Sequence, residues 1–240
     1  MRTEHNELGQ PIGRRLEEWA ACQLPPHVTL NGRYCRLEPL QAGHAEALHA
    51  ANSLDAEGRS WTYLPYGPFA SFDEYAAWIE SQRQKKGVLL YAIVDLATEK
   101  AVGLAGYLRP DPDNGVIEIG HLNFSPLLQQ TRAATEALYL LAAYVFRCGY
   151  RRCEWKCNDL NEASRRAALR LGFQFEGIFR QLLVVKGRNR DTAWFSILDG
   201  EWPALNEAFE TWLAADNFDD RGRQKLALSV LTANARSVLA

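Results

Sequence analysis

V-I-E-I-G-H-L-N-F-S-P at Val116–Pro126, followed by L-L-Q-Q-T-R-A-A-T-E-A-L-Y-L-L-A-A-Y-V-F-R at Leu127–Arg147, changes its period midway. The first part is rich in β-branched and aromatic residues and reads as a strand that stops at Ser125-Pro126. The second part repeats apolar residues at Ala134, Leu138, Leu141 and Val145, the spacing of one helix face. A strand that runs into a long helix leaves the first backbone N–H groups of that helix without intrahelical partners, and such a terminus attracts anions.

Working upstream, V-T-L-N-G-R-Y-C-R-L-E-P-L from Val28 reads as extended chain around an Asn31-Gly32 turn. A helix is expected from His44 to Ala51, then an aromatic loop, W-T-Y-L-P-Y-G-P-F, from Trp61 to Phe69. Ser71 and Glu74 form a capping box for a second helix whose apolar face is Phe72, Tyr75, Ala76 and Ile79, and Gly87 is expected to stop it. Val88–Asp95 and Lys100–Leu108 read as a hairpin. Downstream, Arg152–Cys157 is a strand, and Asn161–Leu171 is a helix capped by Asn161 or Asp159 and closed by Gly172. Phe173–Val185 and Asp191–Leu198 pair across K-G-R-N-R, and Pro203 opens a last helix.

This order predicts an α/β fold: a mixed β-sheet with helices on both faces. One domain is expected over 29–200, with an extension at 1–28, carrying a short helical possibility at Leu16–Ala21, and a C-terminal helix and mobile polar tail at 201–240. The net charge of −2 excludes a general nucleic-acid binder. The longest apolar run, Ala137–Phe146, is about half of the ~20 residues that a membrane-spanning helix needs, so no membrane partner is expected and the cytoplasm is the expected location. The five cysteines have no metal-ligand spacing and read as free thiols.

No G-x-G-x-x-G or G-K-S/T accompanies the central turn, which removes the common nucleotide loops. The motifs that do occur resemble those of the GNAT acyl-CoA N-acyltransferases, in particular the branch of the ribosomal-protein alanine acetyltransferases. They are a strand ending in S-P, Gln129 heading a loop that closes in A-T-E-A at Ala134–Ala137, N-x-x-S at Asn161 and Ser164, and L-G-F-Q-F-E-G at Leu171–Gly177.

The resemblance implies an N-acetyltransferase that uses acetyl-CoA as cosubstrate and a primary amine as acceptor. A protein N-terminal α-amine leads, with a small-molecule amine as the alternative; a non-catalytic acyl-CoA-binding module is the rival of another class. It acts as a monomer or homodimer. It also implies that the amides of Gln130, Thr131, Arg132, Ala133, Ala134 and Thr135 meet the diphosphate, with Gln129 beside them. The sheet would be splayed between the Val116 and Arg152 strands, with the pantetheine in the splay flanked by Leu122, Asn123, Phe124 and Asn161, and Ser164 would lie near the thioester sulfur as a proton donor. Arg132 stands where the family pattern has glycine. Either it keeps the loop shape in a helical conformation, or its guanidinium replaces amide contacts with charge-assisted bonds, which is the favoured expectation.

For the general base Glu154 is preferred, then Glu118, with His121 also weighed; strict alternation would put His121 on the face opposite Glu118 unless the strand bulges. Each glutamate could equally be an ion-pair partner of Arg152 or Lys156. Trp61, Tyr63 and Tyr66 from the aromatic loop, with Arg180, Arg190, Asp191 and Trp194 from the last strands, are expected to bind the acceptor. No metal is expected.

Overall fold

The computed structural model describes residues 3–237. Its strands are β1 Glu4–His5, β2 Pro11–Ile12, β3 Leu30–Asn31, β4 Cys35–Pro39, β5 Val88–Asp95, β6 Lys100–Asp111, β7 Val116–Phe124, β8 Arg152–Asn158, β9 Gln174–Val185 and β10 Arg188–Leu198. The helices are α1 Ala45–Asn52, α2 Phe72–Arg83, α3 Arg132–Arg147, α4 Glu162–Arg170, α5 Trp202–Leu213 and α6 Leu228–Ser237. Eight strands form one sheet in the order β3-β4-β5-β6-β7-β8-β10-β9, antiparallel throughout except for β7 beside β8.

That parallel pair creates the expected splay. Its register runs from Val116↔Arg152 to Ile119↔Trp155 and then ends, although β7 continues to Phe124 on β6 and β8 continues to Asn158 on β10. Past Ile119 and Trp155 the facing strand edges have no mutual partner, and a gap opens in mid-sheet.

Helices cover both faces. On one, Ala137, Leu138, Leu141 and Val145 of α3 pack on Ile117, Ile119, Cys153 and Trp155, joined by α5 and by Leu228 of α6. Burying each large aliphatic side chain there contributes roughly 1.5–3 kcal/mol. On the other face Leu48 of α1 and Tyr75 and Ile79 of α2 pack on Ala92, Val94 and Leu104.

Local signals explain most of the boundaries. Ser71 caps α2 by accepting from the Glu74 amide, Thr131 caps α3 by accepting from Ala134, and Asn161 caps α4 by accepting from Ser164. Gly172 ends α4 at φ +88.

Other expectations need correction. Leu16–Ala21 is not helical; Trp19 instead donates its indole N–H to the Asp113 carbonyl at 3.3 Å. Helix α2 ends at Arg83, before Gly87, and Phe72 is exposed rather than part of its buried face. The β9–β10 turn is only Lys186-Gly187, both at positive φ, so Arg188–Arg190 belong to the strand. The tail is not free: α6 buries Leu228, and Arg236 donates to the Gly172 carbonyl at 2.6 Å and to Glu201 at 3.0 Å.

Candidate active site

The start of α3 presents unused donors. Ser125, fully buried, donates through its hydroxyl to the Val102 carbonyl at 2.6 Å and fixes the end of β7. The chain then turns through Gln130, held at φ +60, into the Thr131 cap. Thr131 N–H is taken by Leu128, Ala134 by the Thr131 hydroxyl and Thr135 by the Thr131 carbonyl. Among the described residues the amides of Gln130, Arg132 and Ala133 have no partner, so three of the six amides expected to meet an anion are available. Three converging N–H groups at a helix start suit a diphosphate. The Gln129 side chain, by contrast, donates to the Phe124 carbonyl at 2.8 Å, and the Thr135 hydroxyl accepts from Arg170 at 3.1 Å.

Arg132 takes an ordinary helical conformation, the first of the two ways in which a side chain can stand at this position. It occupies the first helical residue, and its guanidinium lies between the rings of Tyr34 and Phe218, 4.7 and 4.6 Å from their centroids. A cation between two ring faces is well placed without any carboxylate.

Glu136, in the A-T-E-A motif, serves the scaffold. It is 2 % exposed and its carboxylate accepts from the amides of Arg33, Tyr34 and Cys35 at 2.7, 2.6 and 2.9 Å. A Cβ on Gly32 would meet this carboxylate at 2.4 Å, so the turn needs a residue without a side chain.

At the gap lies a cavity of about 740 Å³, lined by the loop before α2 and the residues just after α2 on one side and by Asn161 and Ser164 at the start of α4 on the other. Two bulges shape it. In β7 the register slips between Gly120 and Asn123 with His121 at φ +52; in β6 it slips between Leu108 and Asp111 with Arg109 at φ +47. The first bulge overrides strict alternation: His121 lines the cavity together with Glu118, rather than facing away from it. Its ring stacks on Tyr66 at 5.3 Å, and Nδ1 is 2.8 Å from the Tyr66 hydroxyl. Burial, reinforced by Lys85 and Arg109, lowers the His121 pKa to about 4, so the imidazole is neutral at pH 7.

Glu118 and Glu154 face each other in the parallel register. Lys156 bridges them, 3.1 and 2.7 Å from their carboxylates, and its ammonium sits 3.7 Å from the Trp194 ring centroid. Arg109 also pairs with Glu118, and Arg152 with Glu154 at 2.8 Å and with Glu176. Glu118 lines the cavity, whereas Glu154 does not. The carboxylate placed first as a base is therefore outside the cavity lining, and the second, itself buried, is part of it.

Leu122, Asn161 and Ser164 line the cavity; Asn123 is buried and Phe124 is half-buried beside it. The Ser164 hydroxyl accepts from the Trp155 indole at 3.0 Å, leaving its own proton free to donate. Asn161 spends its side-chain oxygen on the α4 cap.

Of the acceptor residues, Tyr63 and Arg190 line the cavity. Tyr66 stands behind His121, Trp61 is buried in the loop, and Trp194 supports Lys156. Arg180 is exposed on β9, and Asp191 accepts from the Gln181 amide at 2.6 Å, holding the bulge between β9 and β10. Sequence reasoning missed Lys85, Lys86 and Arg109 as cavity residues. The Arg109-Pro110 pair within a strand was the available signal, because proline cannot continue a ladder.

The Tyr63 hydroxyl donates to the Leu160 carbonyl at 3.1 Å, and the Lys186 ammonium to the Trp61 carbonyl at 2.9 Å. The aromatic loop is thus tied across the cavity to the turn before α4 and to the β9–β10 turn. Among the described residues no helix is long and apolar enough to cross a membrane.

Comparison with known proteins agrees with this arrangement. A family model described as the acetyltransferase (GNAT) domain matches residues 35–174. No curated protein matches the chain. A GCN5-related N-acetyltransferase from Brucella melitensis is 47% identical with a TM-score of 0.89, covering 91% of this chain and 100% of its own. A structure from Chromobacterium violaceum, described as a probable GNAT-family acetyltransferase, is 44% identical with a TM-score of 0.76, covering 81% of this chain and 98% of its own. A ribosomal L7/L12 α-N-protein acetyltransferase shares the fold at 21% identity and a TM-score of 0.62, over 71% of this chain and 93% of its own. Matched by the family model over residues 35–174 and by a 47% identical relative over 91% of its length, the chain belongs to the GNAT family of acetyltransferases.

Proposed function

We propose that this acetyltransferase binds acetyl-CoA across the β7–β8 gap and transfers the acetyl group to a primary amine held in the cavity there. The observation that carries this reading is the set of free amides at Gln130, Arg132 and Ala133 at the start of α3, with Glu118, His121 and Ser164 lining the cavity at the gap. Acetyl-CoA, when bound, supplies a thioester carbonyl open to amine attack. The chain's own part is mostly placement, which contributes on the order of 7–11 kcal/mol in favourable cases.

Glu118 is the better placed carboxylate to draw the proton from the amine, directly or through water. Ser164, whose oxygen accepts from Trp155, keeps a hydroxyl proton to give to the departing sulfur. Backbone along Leu122–Phe124, unpaired on the gap side, supplies donors for the developing oxyanion. The five unpaired thiols suit a reducing compartment, and a cytoplasmic location belongs to this reading.

A protein N-terminus remains the acceptor suggested by the motifs. The two ties across the cavity favour instead a small amine, or only the first residue or two of a peptide, over an extended chain laid in a groove. Thiol release from acetyl-CoA with a panel of amines and N-terminal peptides tests the transfer. Glu118→Gln should lower kcat/KM by about 10²-fold, the low end for general-base removal, while Glu154→Gln should lower it less. Unchanged rates and pH profiles in both variants would remove the base assignment. Acetyl-CoA binding without turnover for any amine would favour the binding module.

A further inference from the structure

We infer that the acceptor carries an anionic oxyacid group, a carboxylate or a phosphate, on the same molecule as its amine, and that Arg190, with Lys85, Lys86 and Arg109, receives it. This rests on the acetyl-transfer reading above. The cavity is lined by five cationic side chains, Lys85, Lys86, Arg109, Lys156 and Arg190, and by one carboxylate, Glu118. The whole chain has a net charge of −2, so the concentration is local.

Glu118 is already matched by Lys156 and Arg109. Among the described residues Lys85, Lys86 and Arg190 form no ion pair at all. The Nε of Arg190 is buried and without a hydrogen-bond partner, a donor left waiting for an acceptor. These groups share one space: Lys85 and Arg109 act on His121, and Glu118 and Arg109 act on Arg190, whose proton burial also loosens.

A cationic amine such as a polyamine would be repelled here, since complementary charge governs encounter and register. The diphosphate does not account for the cations, because the free amides at Gln130, Arg132 and Ala133 lie outside this cavity lining. An acceptor with one anionic group satisfies Arg190 and leaves its amine beside Glu118 and His121.

The test uses the full chain, acetyl-CoA and acceptor pairs that share an amine and differ in charge: glycine against glycinamide, O-phosphoethanolamine against ethanolamine, and serine-initiated peptides with acidic or neutral second residues. At least one anionic member should be favoured by about tenfold or more in kcat/KM, and the favoured pair identifies the source of the anion. Arg190→Gln should raise KM for that member and shrink the ratio to about threefold or less, without raising KM for acetyl-CoA. Arg188→Gln, on the same strand but outside the cavity, should leave the ratio unchanged. Equal rates within every pair, or faster neutral members, would overturn the inference.

If acetyl-CoA binds and no amine is acetylated, the transfer reading fails by itself. The anion site is then decided by calorimetry of glycine and O-phosphoethanolamine on the CoA-loaded protein. Binding that weakens about tenfold in Arg190→Gln upholds the site; no binding of either overturns it.

Discussion

At the start of α3 the free donors are backbone amides at Gln130, Arg132 and Ala133, whereas at the gap the acceptor cavity offers charged side chains on strands bent by bulges. A site made of backbone depends on chain shape, and any residue that keeps the shape will serve. Arginine can therefore stand at the glycine position of the family pattern, its side chain drawn aside by Tyr34 and Phe218. A site made of side chains has no such latitude, and selectivity among amines should reside there.

The sharpest way to break this comparison is to damage the frame behind the backbone site. Glu136→Ala leaves three amides at Arg33–Cys35 unmatched, that of Cys35 fully buried, and should cost about 4 kcal/mol of stability, measured by chemical denaturation. A loss under about 1 kcal/mol would show that the turn finds other partners.

Next in size is a pH effect on the cavity side. The folded-state pKa of His121, about 4, lies below the ordinary value near 6.5, so the unfolded chain takes up the proton first as pH falls. Stability should drop between pH 6.5 and about 4, by up to about 3 kcal/mol, and be insensitive to this group above pH 6.5. His121→Asn should flatten that slope; an unchanged slope would mean that the ring is not buried neutral.

Lys156→Met should cost about 2 kcal/mol, less than a fully orphaned buried pair, because Glu118 and Glu154 each retain an arginine. It should also reduce kcat more than it raises KM for acetyl-CoA, as expected if Lys156 orders the acceptor side alone. The smallest effect is expected for Arg132→Gly: about 1 kcal/mol of stability from helix propensity and ring contacts, and less than about threefold in KM for acetyl-CoA. A KM rise above about tenfold would mean that the guanidinium leaves its rings to hold the cosubstrate.

What could be read from the sequence was local or periodic. Ser71, Thr131 and Asn161 announce helix starts within a few residues of themselves, and Ala134, Leu138, Leu141 and Val145 mark a face that is buried as expected. The splay followed from the family motifs. The His121 bulge was not legible, because positive φ at a histidine carries no glycine or asparagine signal; the partner strand and the Tyr66 ring impose it. Arg132 could not be placed without Phe218, far along the chain. Helix α6 was missed for a similar reason: its polar stretch is ordered by Thr232 donating to the Arg170 carbonyl and by Arg236 on Gly172 and Glu201. The base preference turned on which of two glutamates in register lines the cavity, a matter of tertiary placement rather than of residue type.

The ring of Phe218, resting on the first residue of α3, makes the segment beyond α5 a custodian of the loop proposed to hold the cosubstrate. Truncation after α5, which a survey of motifs alone would permit, would strip one face from that cation and loosen the turn it steadies.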